Sequence, residues 1–136
     1  MSRKSKKPHG DLLLGPLPVA LINDTLSMEL EEGETVLTAN HQVHAARKHP
    51  DEYPLFLPHI AQIIAFPLYI GDDFKNSGKI ELIGRIPVLR THVLIAVNTQ
   101  LDKKGRYKVS SFYSIKPQRV ESRKAKGYLK IAILIR

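Results

Sequence analysis

The sequence has no cysteine, no tryptophan and no long hydrophobic run. The lack of cysteine excludes disulfides, thiolate catalysis and zinc sites that need sulfur ligands. Because no stretch of about 18 apolar residues occurs, we expect no membrane-spanning helix and no membrane partner. The leucines at 12–14 are too few for the apolar core of a signal peptide. These features predict a protein that works in the cytoplasm, either of its own cell or of a target cell into which it is delivered.

The length and the charge pattern predict one domain with a basic half. The chain has 136 residues, 43% hydrophobic and 25% charged, which suits a single domain. We expect a disordered basic leader over residues 1–15 and one domain over residues 16–136. The net charge of +8 is uneven: residues 1–10 carry +4, residues 11–75 carry −7 and residues 76–136 carry +11. A basic half favours a nucleic-acid partner, although a solvated surface that only aids solubility has the same pattern.

Hydrophobic periodicity predicts helices before strands. A first helix begins near Thr38 or Asn40 and ends before Pro50, and a second covers residues 57–66 with Pro58 in its first turn. Alternating apolar residues at 26–30 indicate a half-buried strand or an extended arm. Further strands are predicted over Lys79–Ile86, Thr91–Asn98, residues 106–116 and residues 128–135, with a short helix at 121–125. The expected fold is α+β, with N-terminal helices packed on a twisted antiparallel sheet of about four strands.

The first predicted helix carries an unusual group of histidines. His41 and His44 share one face, His49 lies at the helix end, and Lys48 lies between. Histidine titrates near neutral pH, so this group suits acid–base catalysis, although exposed histidines on a surface helix would give the same spacing. A metal site is disfavoured, since no His-Glu-x-x-His motif, carboxylate cluster or sulfur ligand accompanies the histidines. We therefore expect no metal and no cofactor.

A second group of candidates lies on the predicted strand at 106–116. Regular alternation would place Tyr107, Val109, Ser111, Tyr113 and Ile115 on one face. The hydroxyls of Ser111 and Tyr113 could contact a phosphate oxygen or polarise an attacking hydroxyl, although both residue types are also common in ordinary sheets. The candidate phosphate-binding cations are Lys48, Arg90, Lys116 and Arg119. His59 and His92 are expected to be polar residues at the edges of elements.

Several short motifs resemble one nuclease group. They are His44-Ala-Ala-Arg-Lys-His49-Pro50, Leu57-Pro58-His59-Ile60, Pro67-x-Tyr69-Ile70 and Val109-Ser110-Ser111-Phe112-Tyr113-x-Ile115. In this order they resemble the phage-associated branch of the barnase–EndoU–colicin–RelE nucleases over roughly residues 35–130. The resemblance implies helices on a four-stranded antiparallel sheet and metal-independent RNA cleavage that leaves a cyclic phosphate. It also implies that His44, His49, Ser111 and Tyr113 are the catalytic residues.

The leading functional hypothesis is therefore an endoribonuclease of toxin or phage type that acts on RNA, with transfer and messenger RNA as candidates. Such an enzyme would use histidine acid–base catalysis and would call for an inhibitor or antitoxin protein as a partner. Two alternatives remain open. One is a non-catalytic nucleic-acid-binding module, and the other is an interaction protein of a phage or toxin system that docks through the basic half.

Overall fold

A computed structural model describes residues 10–72 and 78–132. These residues form four α-helices and seven strands, and a short 3₁₀ turn (Pro87–Leu89) joins the central strands. The helices are α1 (Val19–Leu26), α2 (Ala39–Lys48), α3 (Glu52–Ala65) and α4 (Pro117–Ala125). The strands are β1 (Leu12–Pro16), β2 (Glu34–Leu37), β3 (Tyr69–Asp72), β4 (Lys79–Ile86), β5 (Thr91–Asn98), β6 (Arg106–Ile115) and β7 (Leu129–Ile131). None of the helices in these two ranges is long and apolar enough to cross a membrane.

The predicted sheet of about four antiparallel strands is wrong. The seven strands form one sheet in the order β1-β2-β6-β5-β4-β3-β7, and β2 pairs with β6 in parallel. The helices are interspersed among the strands instead of lying at the N-terminus. The three missed strands, β1, β2 and β3, have only four or five residues each. Strands this short contain too few residues for a clear alternation of apolar and polar side chains, so their local sequence carries little strand signal.

The two faces of the sheet are covered very differently. Helices α1 and α3 cover the first face, where a large core contains side chains from β4, β5 and β6 together with Ile22, Phe56 and Ile60. On the second face, α4 places Val120 over a small cluster that contains Ile83, Leu94, Ile115 and Leu129. The first face therefore supplies most of the buried apolar area.

Gly84 allows α3 to lie close to the first face. A Cβ atom at this position would come within 2.6 Å of Cγ2 of Ile63 on α3. Contacts that short do not occur between real carbon atoms, so any side chain here would push the helix away from β4. The glycine therefore serves close packing between a helix and a strand.

Two local predictions are confirmed. Thr38 caps α2 by accepting a hydrogen bond from the backbone N–H of His41 at 3.3 Å, and the helix ends at Lys48. A tight turn precedes β6: Asp102 accepts hydrogen bonds from the N–H groups of Lys104 and Arg106 at 2.8 and 2.9 Å. Gly105 completes the turn with a φ of 76°, a region that suits glycine.

Other local predictions differ from the structure. Residues 19–26 form α1, and no strand forms at 26–30; the Asn23 side chain instead binds both backbone groups of Leu30, at 2.8 and 3.1 Å. Helix α3 begins at Glu52, so Pro58 lies inside the helix and not in its first turn. Helix α4 begins at Pro117 and β7 covers only Leu129–Ile131.

The expected leader over residues 1–15 overlaps the sheet. Residues 1–9, which carry all of its lysines and arginines, lie outside the described residues. From Leu12 onward the same segment forms β1, which pairs with β2 in an antiparallel ladder. The end of the predicted strand at 128–135 also lies outside the described part, from residue 133 onward.

Candidate functional site

Helix α2 lies beside the second half of β6. Strand β2 pairs with β6 only as far as Lys108 and then ends at Leu37. The chain continues into α2, which contacts β6 beyond that point. On this side of β6 the described residues place no further strand. Instead, Glu52 at the start of α3 accepts hydrogen bonds from the Ser114 hydroxyl at 2.7 Å and from its N–H at 3.4 Å. The helix and the open strand edge form the two walls of a cleft.

A β-bulge sets which β6 side chains face this cleft. Ala96 of β5 pairs with Ser111, but the next residue, Val97, pairs with Val109, so Ser110 is the extra residue. The predicted alternation along the whole strand is therefore wrong. Tyr107 and Val109 lie in the large core of the first face with Phe112, whereas Tyr113 and Ile115 pack on the second face. The extra residue shifts the alternation by one position.

The cleft is a cavity of about 260 Å³. Helix α2 contributes its basic side chains, β6 contributes hydroxyls, and β4 contributes Lys79. The lining residues are Leu37, His41, His44, Ala45, Lys48, His49, Lys79, Ser110, Ser111, Phe112 and Tyr113. We call this cavity the α2–β6 cleft. It brings together the four predicted catalytic residues and one of the four predicted phosphate-binding residues, from two segments more than 60 positions apart.

His41 is the most constrained imidazole of the cleft. Its Nδ1 atom lies 3.1 Å from the hydroxyl of Thr38, the same group that caps the helix. Burial lowers the pKa of His41, and the positive charges of Lys108, His44 and Lys79 lower it further. At neutral pH the ring is therefore uncharged, and either nitrogen can carry the proton, depending on whether the Thr38 hydroxyl donates or accepts.

The electrostatic character of the cleft is basic. None of its described lining residues is a carboxylate. Two carboxylates outside the lining have other partners. Glu52 accepts a hydrogen bond from the Ser114 hydroxyl, and the buried Glu81 forms an ion pair with Arg123 of α4. In the ranges 10–72 and 78–132, no group of three histidine or acidic side chains could hold a metal ion. The imidazoles, ammonium groups and hydroxyls that line the cleft therefore suit a phosphate group better than a metal cation.

The other predicted phosphate-binding residues lie elsewhere. Arg90 and Lys116 line a separate cavity of about 190 Å³ at the far end of β6, together with Thr91, His92, Ser114, Ile115 and Pro117. We call it the second cavity. Arg119 is exposed on α4 and lines neither cavity. His59 is half-buried on α3 and also lines neither cavity.

Two basic residues of the cleft are not among the predicted site residues. His41 belongs to the histidine group predicted to suit acid–base catalysis but is not one of the four predicted catalytic residues, although the Thr38 cap that positions its ring could be read from the sequence. Lys79 was not singled out. It begins β4, three strands from β2 in the sheet, so only the sheet order brings it to the cleft. No local pattern could have predicted its position.

Comparisons of the chain with protein-family models, with curated proteins and with solved structures found no match. The resemblance to the barnase–EndoU–colicin–RelE group therefore remains a prediction that rests on short motifs.

Proposed function

We propose that the protein is an endoribonuclease that cleaves RNA without a metal ion, using the 2′-hydroxyl of the substrate as the nucleophile. One observation carries this proposal: α2 and β6 place His44, Lys48 and His49 in the same cavity as Ser111 and Tyr113. Imidazoles, ammonium groups and hydroxyls without a carboxylate are a set that binds a phosphodiester and moves protons around it.

The proposed reaction needs two proton transfers. The 2′-oxygen attacks phosphorus as a base removes its proton, and the bond from phosphorus to the 5′-oxygen breaks as an acid protonates that oxygen. The products are a 2′,3′-cyclic phosphate and a free 5′-hydroxyl. His44 and His49 are the proposed acid–base pair, and general acid–base catalysis contributes on the order of 10²–10⁴-fold in rate.

The remaining residues bind the phosphate. Lys48 and Lys79 bring positive charge to the cleft, where it would stabilise the charge that develops on the non-bridging oxygens. Ser111 and Tyr113 also line the cleft, and in this proposal their hydroxyls donate hydrogen bonds to the same oxygens. His41 is neutral at neutral pH and contributes a hydrogen bond without adding charge.

Incubation of the purified protein with end-labelled RNA in EDTA tests this proposal. We expect cleavage products that end in a 2′,3′-cyclic phosphate, and we expect His44→Ala and His49→Ala to lower kcat on the order of 10²-fold or more. His59→Ala is the matched control, because it removes a histidine that lies outside the cleft, and it should keep full activity. Salt-dependent RNA binding without cleavage would contradict the enzyme and would favour a binding module. Equal activity in all three variants would contradict the site.

A further inference from the structure

We propose that the second cavity binds a backbone phosphate of the RNA several nucleotides away from the cleavage point, so that the substrate lies along β6. The proposal rests on the proposed function, because it takes RNA as the substrate of the α2–β6 cleft. It adds a second binding site to that cleft and gives the enzyme a minimum substrate length.

The two cavities are neighbours along one strand. Tyr113 lines the α2–β6 cleft, and the next residue, Ser114, lines the second cavity. Ser111 and Lys116 mark the two ends of this path. A strand rises about 3.4 Å per residue, so these residues lie roughly 17 Å apart. Stacked nucleotides advance about 3.4 Å each along a strand, so this distance corresponds to about five nucleotides.

The charge around the second cavity suits a phosphate. Arg90, His92 and Lys116 line it; burial lowers the pKa of His92, and the nearby positive charge of Arg85 lowers it further. Among the described residues that line it there is no carboxylate, and Glu52 is hydrogen-bonded through both oxygens to Ser114 of the lining. The cations therefore outnumber the acid, and the guanidinium of Arg90 can bind two phosphate oxygens at once.

The backbone of Arg90 points to the same role. Its φ is 51°, which is the left-handed region where a side chain costs conformational energy and glycine does not. A hydrogen bond from its N–H to the carbonyl of Pro87 at 3.0 Å holds this conformation. Glycine would fit the turn better, so the arginine is a strained choice that a role for its guanidinium would explain.

The test compares RNA binding and length dependence in matched variants. The probes are a three-nucleotide and an eight-nucleotide RNA in which 2′-deoxy sugars prevent cleavage. The variants are R90A/K116A, which empties the second cavity of its two permanent cations, and K126A/K130A, which removes two exposed lysines that line neither cavity. Both double variants change the net charge by the same amount, so nonspecific electrostatics affect both equally.

For the eight-nucleotide probe, R90A/K116A should lower the slope of log affinity against log salt by about 0.7, since the second cavity holds one phosphate and each phosphate contact contributes about 0.7 in single strands. K126A/K130A should change that slope by less than half as much, and neither variant should change binding of the three-nucleotide probe. Equal slopes in the two double variants, or equal losses for both probe lengths, would overturn the proposal.

Arg90→Gly gives an independent result. It should raise Tm or leave it unchanged, because it relieves the left-handed backbone, while it weakens binding of the eight-nucleotide probe. A lower Tm, or unchanged binding, would contradict the proposed role. If the wild-type protein shows the predicted length dependence and salt slope but does not cleave RNA, the result supports the second binding site and contradicts the proposed enzymatic activity. If it cleaves RNA without length dependence, the result contradicts only the second binding site.

Discussion

The first face of the sheet holds most of the apolar core, whereas the second face borders the candidate site. On the first face, α1 and α3 close over a continuous apolar core, and Gly84 lets α3 approach the strand backbone. On the second face, α4 covers a small cluster near one end, and Ser111 stays exposed beside α2. The bulge at Ser110 separates the two patterns within one strand.

This difference explains how one strand can serve both purposes. Before the bulge, Tyr107 and Val109 belong to the core of the first face, and the Tyr107 hydroxyl donates a hydrogen bond to the carbonyl of Glu31 at 2.6 Å. After the bulge, Ser111 and Tyr113 line the α2–β6 cleft. Residues of the α2–β6 cleft can therefore be substituted without disturbing the core of the first face. The variants below test this separation of the cleft from the core.

The largest expected effect comes from truncating one buried leucine on each face. Leu82→Ala and Leu94→Ala remove fully buried side chains from the first and second faces, and each should lower the free energy of unfolding by about 2–5 kcal/mol. Leu94 pairs with Tyr113 across β5 and β6, so its loss should also reduce RNA cleavage by the folded fraction. Urea unfolding with activity measured under folding conditions checks both. Equal activity losses in the two variants would contradict the separation of the faces.

A smaller effect is expected where α3 meets the first face. Gly84→Ala places a methyl group against Ile63, and overpacking of this kind costs about 1–3 kcal/mol. The same substitution in an Ile63→Ala background should cost less, because the two atoms nearest the new methyl group, Cγ1 and Cγ2 of Ile63, are removed. Urea unfolding of the four proteins gives the coupling energy, and additive costs would contradict the contact.

Removing the α2 cap should cost about 1 kcal/mol. Thr38→Ala loses both the hydrogen bond from the His41 N–H and the contact with the His41 ring. Thr38→Ser keeps both. Thr38→Asp keeps the cap but sets a carboxylate beside Nδ1, so it should raise the pKa of His41 relative to wild type. Thermal unfolding reports the cap, and NMR titration of the ring reports the pKa. An unchanged pKa in Thr38→Asp would mean that the ring does not contact residue 38.

The smallest expected effect is a pH dependence of stability. Folding lowers the pKa of His41, so the unfolded chain binds more protons at mildly acid pH than the folded chain does. The contribution of His41 to the free energy of unfolding is complete above about pH 6.5, the ordinary pKa of histidine. It is lost as the pH falls through the lower pKa of His41 in the folded state. Urea unfolding between pH 8 and pH 5 should therefore show a smaller decline in His41→Gln than in wild type. A steeper decline in the variant would contradict the claim that folding lowers the pKa of His41.

Much of the central sheet could be predicted from the sequence. Lys79–Ile86 and Thr91–Asn98 match the predicted bounds of β4 and β5, because segments rich in Ile, Leu and Val favour buried strands. The N-terminal cap of α2 at Thr38 and the end of the helix before Pro50 could also be predicted from the sequence. These signals are local, and they belong to elements whose own residues set their structure.

The rest of the sheet depends on contacts that the sequence does not display. The short strands β1, β2 and β3 form because other strands pair with them, and the parallel pairing of β2 with the distant β6 follows from the course of the chain. The bulge at Ser110 leaves no local signature, so the face of Tyr107 was predicted wrongly. The candidate site shows the same limit: its histidines were visible, whereas Lys79 joins them only through the sheet order.

The most direct test of the central claim uses an RNA with one 2′-deoxy nucleotide at a mapped cleavage position, in EDTA. If the substrate's own hydroxyl is the nucleophile in the α2–β6 cleft, cleavage should stop at that position, continue at unmodified positions and leave 2′,3′-cyclic phosphates there. Cleavage that continues at the deoxy position would show that another nucleophile attacks and would contradict the account.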